Sequence, residues 1–218
     1  MGDRDEVSVA TGMSLLQSAA GGSSVSESLR SFIAVKLPPE ATESLREAQA
    51  RLRGAEPGWK WVNPDTFHVT LKFLGQVERE RLEATWQSVS AAIGGTRAFT
   101  LALRELGVFP NLRAPRVAWA GISAGANELS ALAAKAEKAC SQHGFEREKR
   151  PFAAHLTLGR AREPGPSPAL AAVVQEFEGS EFGGGPVDKV LLMQSTLRPT
   201  GAVYTVIGEQ ALERGDTI

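Results

Sequence analysis

Two of the three histidines in this 218-residue chain stand in the same four-residue phrase, His68-Val69-Thr70-Leu71 and His155-Leu156-Thr157-Leu158, 87 residues apart. An imidazole titrates near neutrality and can give or take a proton. A threonine hydroxyl two residues further on can donate a hydrogen bond to an oxygen on which negative charge develops. Two such units on opposite sides of one phosphorus supply an acid, a base and two anion contacts, with no need of a metal. That set is what opening or closing a phosphodiester ring requires. A metal site is the rival reading of paired histidines, but no third-ligand phrase such as HExxH accompanies them. His143 ends a helical stretch, where an imidazolium complements the helix dipole, and is read as a solvated cap.

The phrases read as strands, in which residues i and i+2 share a face. His68, Thr70 and Lys72 then point one way, and Phe67, Val69, Leu71 and Phe73 point to the core. Lys72 is read as solvated. In the second copy His155 and Thr157 oppose Leu156 and Leu158, and Arg160 reaches the histidine face only if the strand bulges near Gly159. Along 31–37, Ile33, Val35 and Leu37 form the apolar face. Phe32, Ala34 and Lys36 lie on the other, where an aromatic could stack on a base.

Periodicity around these strands predicts helices over 40–53, 78–93, 127–143 and 167–178. Further strands are expected at WKWV, AFTLALRELGVF, PRVAWAGI, VDKVLLMQSTL and AVYTVIG. Strand pairs joined by short turns argue an α+β fold with antiparallel sheets rather than a doubly wound parallel one. Neither a Rossmann nor a Walker glycine loop is present. The four tryptophans, Trp59, Trp61, Trp86 and Trp119, are read as core or lobe-interface residues.

With 42% hydrophobic residues, the chain is long enough to bury a sizeable core, and no apolar run approaches a membrane span. Its single cysteine, Cys140, excludes an internal disulfide and a cysteine-built zinc site, and a reducing cytoplasm is the expected compartment. The net charge of −1 is unevenly spread: residues 1–30 and 209–218 each carry −2, leaving +3 on 31–208. That suits a small anionic ligand or an RNA end rather than a duplex. Residues 1–30, rich in Ser, Ala and Gly, are expected to form a disordered tail, and 209–218 a second tail.

The paired phrases, with RSFIAVKLPPE, WVNPDTFHVTLKFLGQV, REKRPFAAHLTLGRAR and VLLMQSTLRPTGAVYTVI around them, resemble the 2H phosphoesterase superfamily. Within it they are most similar to the RNA 2′,3′-cyclic phosphodiesterases, long called 2′-5′ RNA ligases. The resemblance spans 30–207 and implies a bilobal, pseudo-twofold α+β fold with one HxT strand per lobe facing a central cleft. It implies metal-independent, cofactor-free hydrolysis of RNA 2′,3′-cyclic phosphates to 2′-phosphomonoesters, with reversible 2′-5′ ligation as a second activity; one cleft between two lobes needs no partner subunit, so a monomer is expected. Carried over, His68 is the proton donor, His155 the proton acceptor, Thr70 and Thr157 hold the phosphate, and Arg160 contacts the nucleotide. One departure is Ala154, where the family often has proline before the second histidine. Two alternatives stand beside this reading: a hydrolase for a small cyclic phosphate such as ADP-ribose 1″,2″-cyclic phosphate, and a non-catalytic nucleotide- or RNA-binding module.

Overall fold

A computed structural model describes residues 27–163, 165–198 and 201–214. In chain order they form β1 (Ser28–Lys36), α1 (Pro39–Ala55), β2 (Lys60–Trp61), β3 (His68–Glu78), α2 (Arg79–Ile93), β4 (Phe99–Phe109) and β5 (Val117–Ala124). Then follow α3 (Ala126–Gln142), β6 (His155–Arg160), α4 (Pro168–Glu176), β7 (Glu181–Val187), β8 (Lys189–Arg198) and β9 (Gly201–Ala211). All strand pairs within the two sheets are antiparallel; one sheet has the order β3-β1-β8-β9 and the other β2-β6-β5-β4-β7.

Each element follows its local pattern. The first helix begins at Pro39, where a missing N–H costs nothing, and buries Ala41, Leu45, Ala48 and Leu52 along one stripe. In β1, Leu29, Ile33 and Val35 enter the main core, while Phe32 and Ala34 join Leu191 and Met193 in a smaller cluster on the opposite face. Helices α2 and α3 cover the first sheet; α1 and α4 cover the second. Leu156 and Leu158 are fully buried, each worth about 2 kcal/mol of apolar burial. A one-residue slip of β6 would forfeit that and drive His155 into the core, so the register is strongly specified.

The central strands repeat as β3-β1-β8 and β6-β5-β4. Strand β4, from the first half of the chain, lies beside β5, and β8, from the second half, lies beside β1. The lobes therefore exchange strands, β2 and β4 against β8 and β9, and share one continuous core.

Several sequence expectations shift. Strand β1 starts at Ser28, inside the expected tail, because Leu29 is buried and the Glu27 carbonyl accepts from Arg79 N–H. At the other end β9 runs to Ala211, Leu212 is buried, and Glu213 exchanges backbone hydrogen bonds with Thr96 and Ala98. Residues 1–26 of the expected tail and 215–218 lie outside the described residues. The stretch WKWV contributes only the two-residue β2. Strand β7, EFGGGPV, is unanticipated because glycines mask a strand signal; a Cβ at Gly184 would lie 2.2 Å from the Leu101 carbonyl, so close approach to β4 requires glycine.

Candidate active site

Both HxTL phrases end in a β-bulge at the same leucine. In β3, Thr70 pairs with Ala34 and Lys72 with Ile33, leaving Leu71 as the extra residue. In β6, Thr157 pairs with Trp119 and Gly159 with Ala118, leaving Leu158 extra. A bulge shifts alternation by one position, so the residue three after each threonine joins the histidine face. These residues are Phe73 and Arg160. The bulge in β6 is clamped: Gln49, buried on α1, donates from Nε2 to the carbonyls of Leu158 and Val62, each at 2.8 Å, and Val62 N–H donates to the Leu158 carbonyl. Glycine is required next, since a Cβ at Gly159 would lie 2.4 Å from the Trp61 ring.

The same shift corrects two expectations on β3. Phe73 is 56% exposed rather than buried, and Lys72 is 4% exposed rather than solvated. Carried to the helix side, the Lys72 ammonium meets Glu137 of α3 at 2.9 Å, the Glu146 carbonyl at 2.8 Å and Glu148 at 3.6 Å. Burial without those partners would be prohibitive.

The two imidazoles are oriented alike. His68 Nδ1 lies 2.7 Å from the Thr66 carbonyl, and His155 Nδ1 lies 2.7 Å from the Ala153 carbonyl. A carbonyl only accepts, so each Nδ1 carries the proton and each Nε2 presents its lone pair in the neutral ring. The Thr66 carbonyl belongs to a single 3-10 turn, Pro64–Thr66, capped by the Asn63 side chain. Aromatic rings wall each histidine: Phe32 and Tyr204 stand 4.8 and 5.2 Å from His68, and Phe109 stands edge-on 5.1 Å from His155. Burial behind these rings pushes both histidines below their ordinary value, His155 further opposed by the charge of Arg160. Thr70 and Thr157 are half-buried, and neither hydroxyl has a hydrogen-bond partner among the described residues.

The two lobes meet here. Strands β3 and β6 are in contact, and the charge of Arg160 on β6 is felt by both His155 and Tyr204, the latter lying against His68. Burial pushes the Tyr204 phenol up, while Arg160 and Arg30 act in the opposite direction. Phe32 sits on the cleft face as its alternation requires. It is 3% exposed, however, its ring packed by His68 and Tyr204, so it supports His68 rather than offering an open face to a base. His143 stands apart: it caps α3 and its Nε2 hydrogen-bonds Ser88 of α2 at 2.8 Å, a half-buried interhelical tie rather than a solvated cap. Cys140 is buried and its thiol is pushed up to about 11, which keeps it protonated and unreactive. Tyr204, Arg30 and Phe109 went unread in the sequence. A period of two puts Tyr204 and Val206 on one face of their strand, but only the pairing of β9 with β8 shows that this face meets His68.

Two antiparallel sheets whose bulged strands β3 and β6 meet, each carrying a histidine and a threonine on one strand face, define a 2H phosphoesterase. The chain belongs to the LigT-like phosphoesterase family, whose pattern it matches twice, over residues 35–119 and 121–204. It is 33% identical over 177 residues to an RNA 2′,3′-cyclic phosphodiesterase of Methanothermobacter thermautotrophicus, covering 81% of this chain and 95% of that one. A protein of the same name from Archaeoglobus fulgidus is 34% identical over 176 residues, covering 81% and 96%. Among solved structures, TT0787 of Thermus thermophilus superposes with a TM-score of 0.70 at 32% identity, covering 84% of this chain and 98% of that one. E. coli LigT complexed with 3′-AMP superposes with a TM-score of 0.68 at 26% identity, covering 85% and 99%. Among the described residues no helix is long and apolar enough to cross a membrane.

Proposed function

We propose that this protein hydrolyses the 2′,3′-cyclic phosphate at an RNA end to a 2′-phosphomonoester, without a metal, with His155 as base and His68 as acid. The observation that carries the reading is the matched orientation of the two imidazoles, each with Nδ1 engaged by a carbonyl and Nε2 free. His155 Nε2 removes a proton from water as the water oxygen bonds to phosphorus. The bond from phosphorus to the 3′ oxygen breaks, and His68, entering as the imidazolium, delivers its Nε2 proton to that oxygen. Thr70 and Thr157 donate to the non-bridging oxygens, where charge builds in the transition state. Exchange of both protons with solvent resets the pair.

The acid and base roles differ in one respect that supports this assignment. The charge of Arg160 disfavours the imidazolium at His155 and is not a cause of the shift at His68. A neutral ring at His155 is what a base needs. Arg160 then serves the nucleotide phosphate, and a ribose 5′ hydroxyl in place of water would give a 2′-5′ linkage by the same steps. Both histidines come from one chain, so we take the monomer, acting in the cytoplasm, as the functional unit.

The test is hydrolysis of a cyclic-phosphate-ended oligonucleotide in EDTA. His68→Ala and His155→Ala should each lower kcat by about 10²–10⁴-fold while circular dichroism stays native. Full activity in either variant, or loss of wild-type activity in EDTA, refutes the metal-free two-histidine mechanism. Faster turnover of ADP-ribose 1″,2″-cyclic phosphate than of the oligonucleotide would favour the small-ester alternative.

A further inference from the structure

The chemistry of a 2′,3′-cyclic phosphate dictates where the rest of an RNA must run. The ring closes on the last ribose of a strand, so every other nucleotide leaves through that ribose's 5′ oxygen and crosses one wall of the cleft. On the wall formed by the β3-β1-β8-β9 sheet, the histidine face continues past His68 and Thr70 to Phe73, whose ring lies 6.1 Å from that of Phe32 and is 56% exposed. On β1, Arg30 precedes Phe32 by two residues and shares its face, with no ion-pair partner among the described residues. Leu197, 67% exposed, lies two residues beyond Ser195, the register partner of Tyr204, and so extends the same face.

An exposed ring, an exposed apolar side chain and an unpaired guanidinium on one sheet face match what single-stranded nucleic acid needs, a stacking surface with a phosphate contact beside it. A protein-binding patch would call for a broader apolar area and offers no reason for its continuity with the histidines. On the opposite wall, the position equivalent to Phe73 after the bulge is Arg160. One wall therefore carries a base platform where the other carries charge. We propose that Phe73 and Arg30 form a subsite for the penultimate nucleotide of the RNA, Phe73 stacking on its base and Arg30 pairing with the phosphate that joins it to the terminal ribose. This rests on the function proposed above.

The experiment compares kcat/KM for three substrates: a 2′,3′-cyclic mononucleotide, a cyclic-phosphate-ended hexanucleotide, and the same hexanucleotide with an abasic penultimate residue. Wild-type protein should lose about tenfold on the abasic strand. Phe73→Ala should lose about tenfold more on the intact hexanucleotide than on the mononucleotide, and should no longer distinguish the abasic strand. Phe73→Tyr should restore the distinction, and Arg30→Gln should flatten the salt dependence on the hexanucleotide more than on the mononucleotide. An equal abasic penalty in wild type and Phe73→Ala, or equal losses on long and short substrates, overturns the subsite. Hydrolysis with no preference for chain length removes the subsite alone, whereas hydrolysis of neither substrate by the wild-type protein removes the function on which it rests.

Discussion

His68 and His155 are held by the same hydrogen bond, each Nδ1 lying 2.7 Å from the carbonyl two residues before it. What lies behind the two carbonyls differs. Thr66 belongs to a side-chain-capped 3-10 turn, whereas Ala153 lies in an irregular segment between α3 and β6 that Lys72 anchors at Glu146. One carbonyl therefore sits in a turn fixed by its own side-chain cap, and the other in a segment that a lysine of the opposite lobe's histidine strand ties down seven residues upstream.

The first prediction concerns pH. Both imidazoles sit below the ordinary value of about 6.5 because burial disfavours the charged ring. A bell-shaped kcat/KM profile should therefore have its maximum on the acid side of 6.5. Stability depends on pH for the same reason. A group whose folded value is depressed contributes stability above its unfolded value and loses it as pH falls through the folded one. The melting temperature should drop on acidification below pH 6.5, and less so for a His68→Ala, His155→Ala double variant. An optimum above pH 7 would contradict the burial argument.

A second prediction isolates Arg160. Its positive charge opposes protonation of His155, so Arg160→Gln should raise the titration midpoint of the His155 ring protons, followed by NMR. The His68 midpoint should move less, because burial alone lowers it. Equal movement of both would show that the substitution opens the cleft to water instead.

Lys72 supplies a third. Lys72→Met strands the partly buried Glu137 carboxylate and should cost about 3 kcal/mol in urea unfolding. Adding Glu137→Leu should recover much of that loss, because an apolar pair replaces a buried ion pair without penalty in comparable cases. Turnover should stay depressed in the double variant, since the Glu146 carbonyl, in the segment leading to His155, has then lost its Lys72 donor. If kcat returns together with stability, the lysine serves folding alone.

Much of this molecule was legible one residue at a time. The repeated HxTL phrase, the period-2 alternation of β1 and the apolar stripes of the four helices identify the α+β class and the two histidine faces. Alternation also places Phe32 and Ala34 opposite Ile33 and Val35, as the two separate apolar clusters show. Legibility ends at the bulges. Before Leu71 and Leu158 the expected faces hold; after them Lys72 and Phe73 change places, and Arg160 reaches the cleft only because the bulge near Gly159 occurs.

The sequence by itself determined which side chains could transfer protons and which elements would carry them, because those properties depend on residue type and on a period of two or 3.6. The tertiary structure decided the phase beyond each bulge, the exchange of β2 and β4 against β8 and β9 between lobes, and the placing of Tyr204 within the field of Arg160. Each of these depends on hydrogen-bond register between strands far apart in the chain. A local pattern encodes how often a side chain returns to a face, whereas only the neighbouring strand decides which face that is.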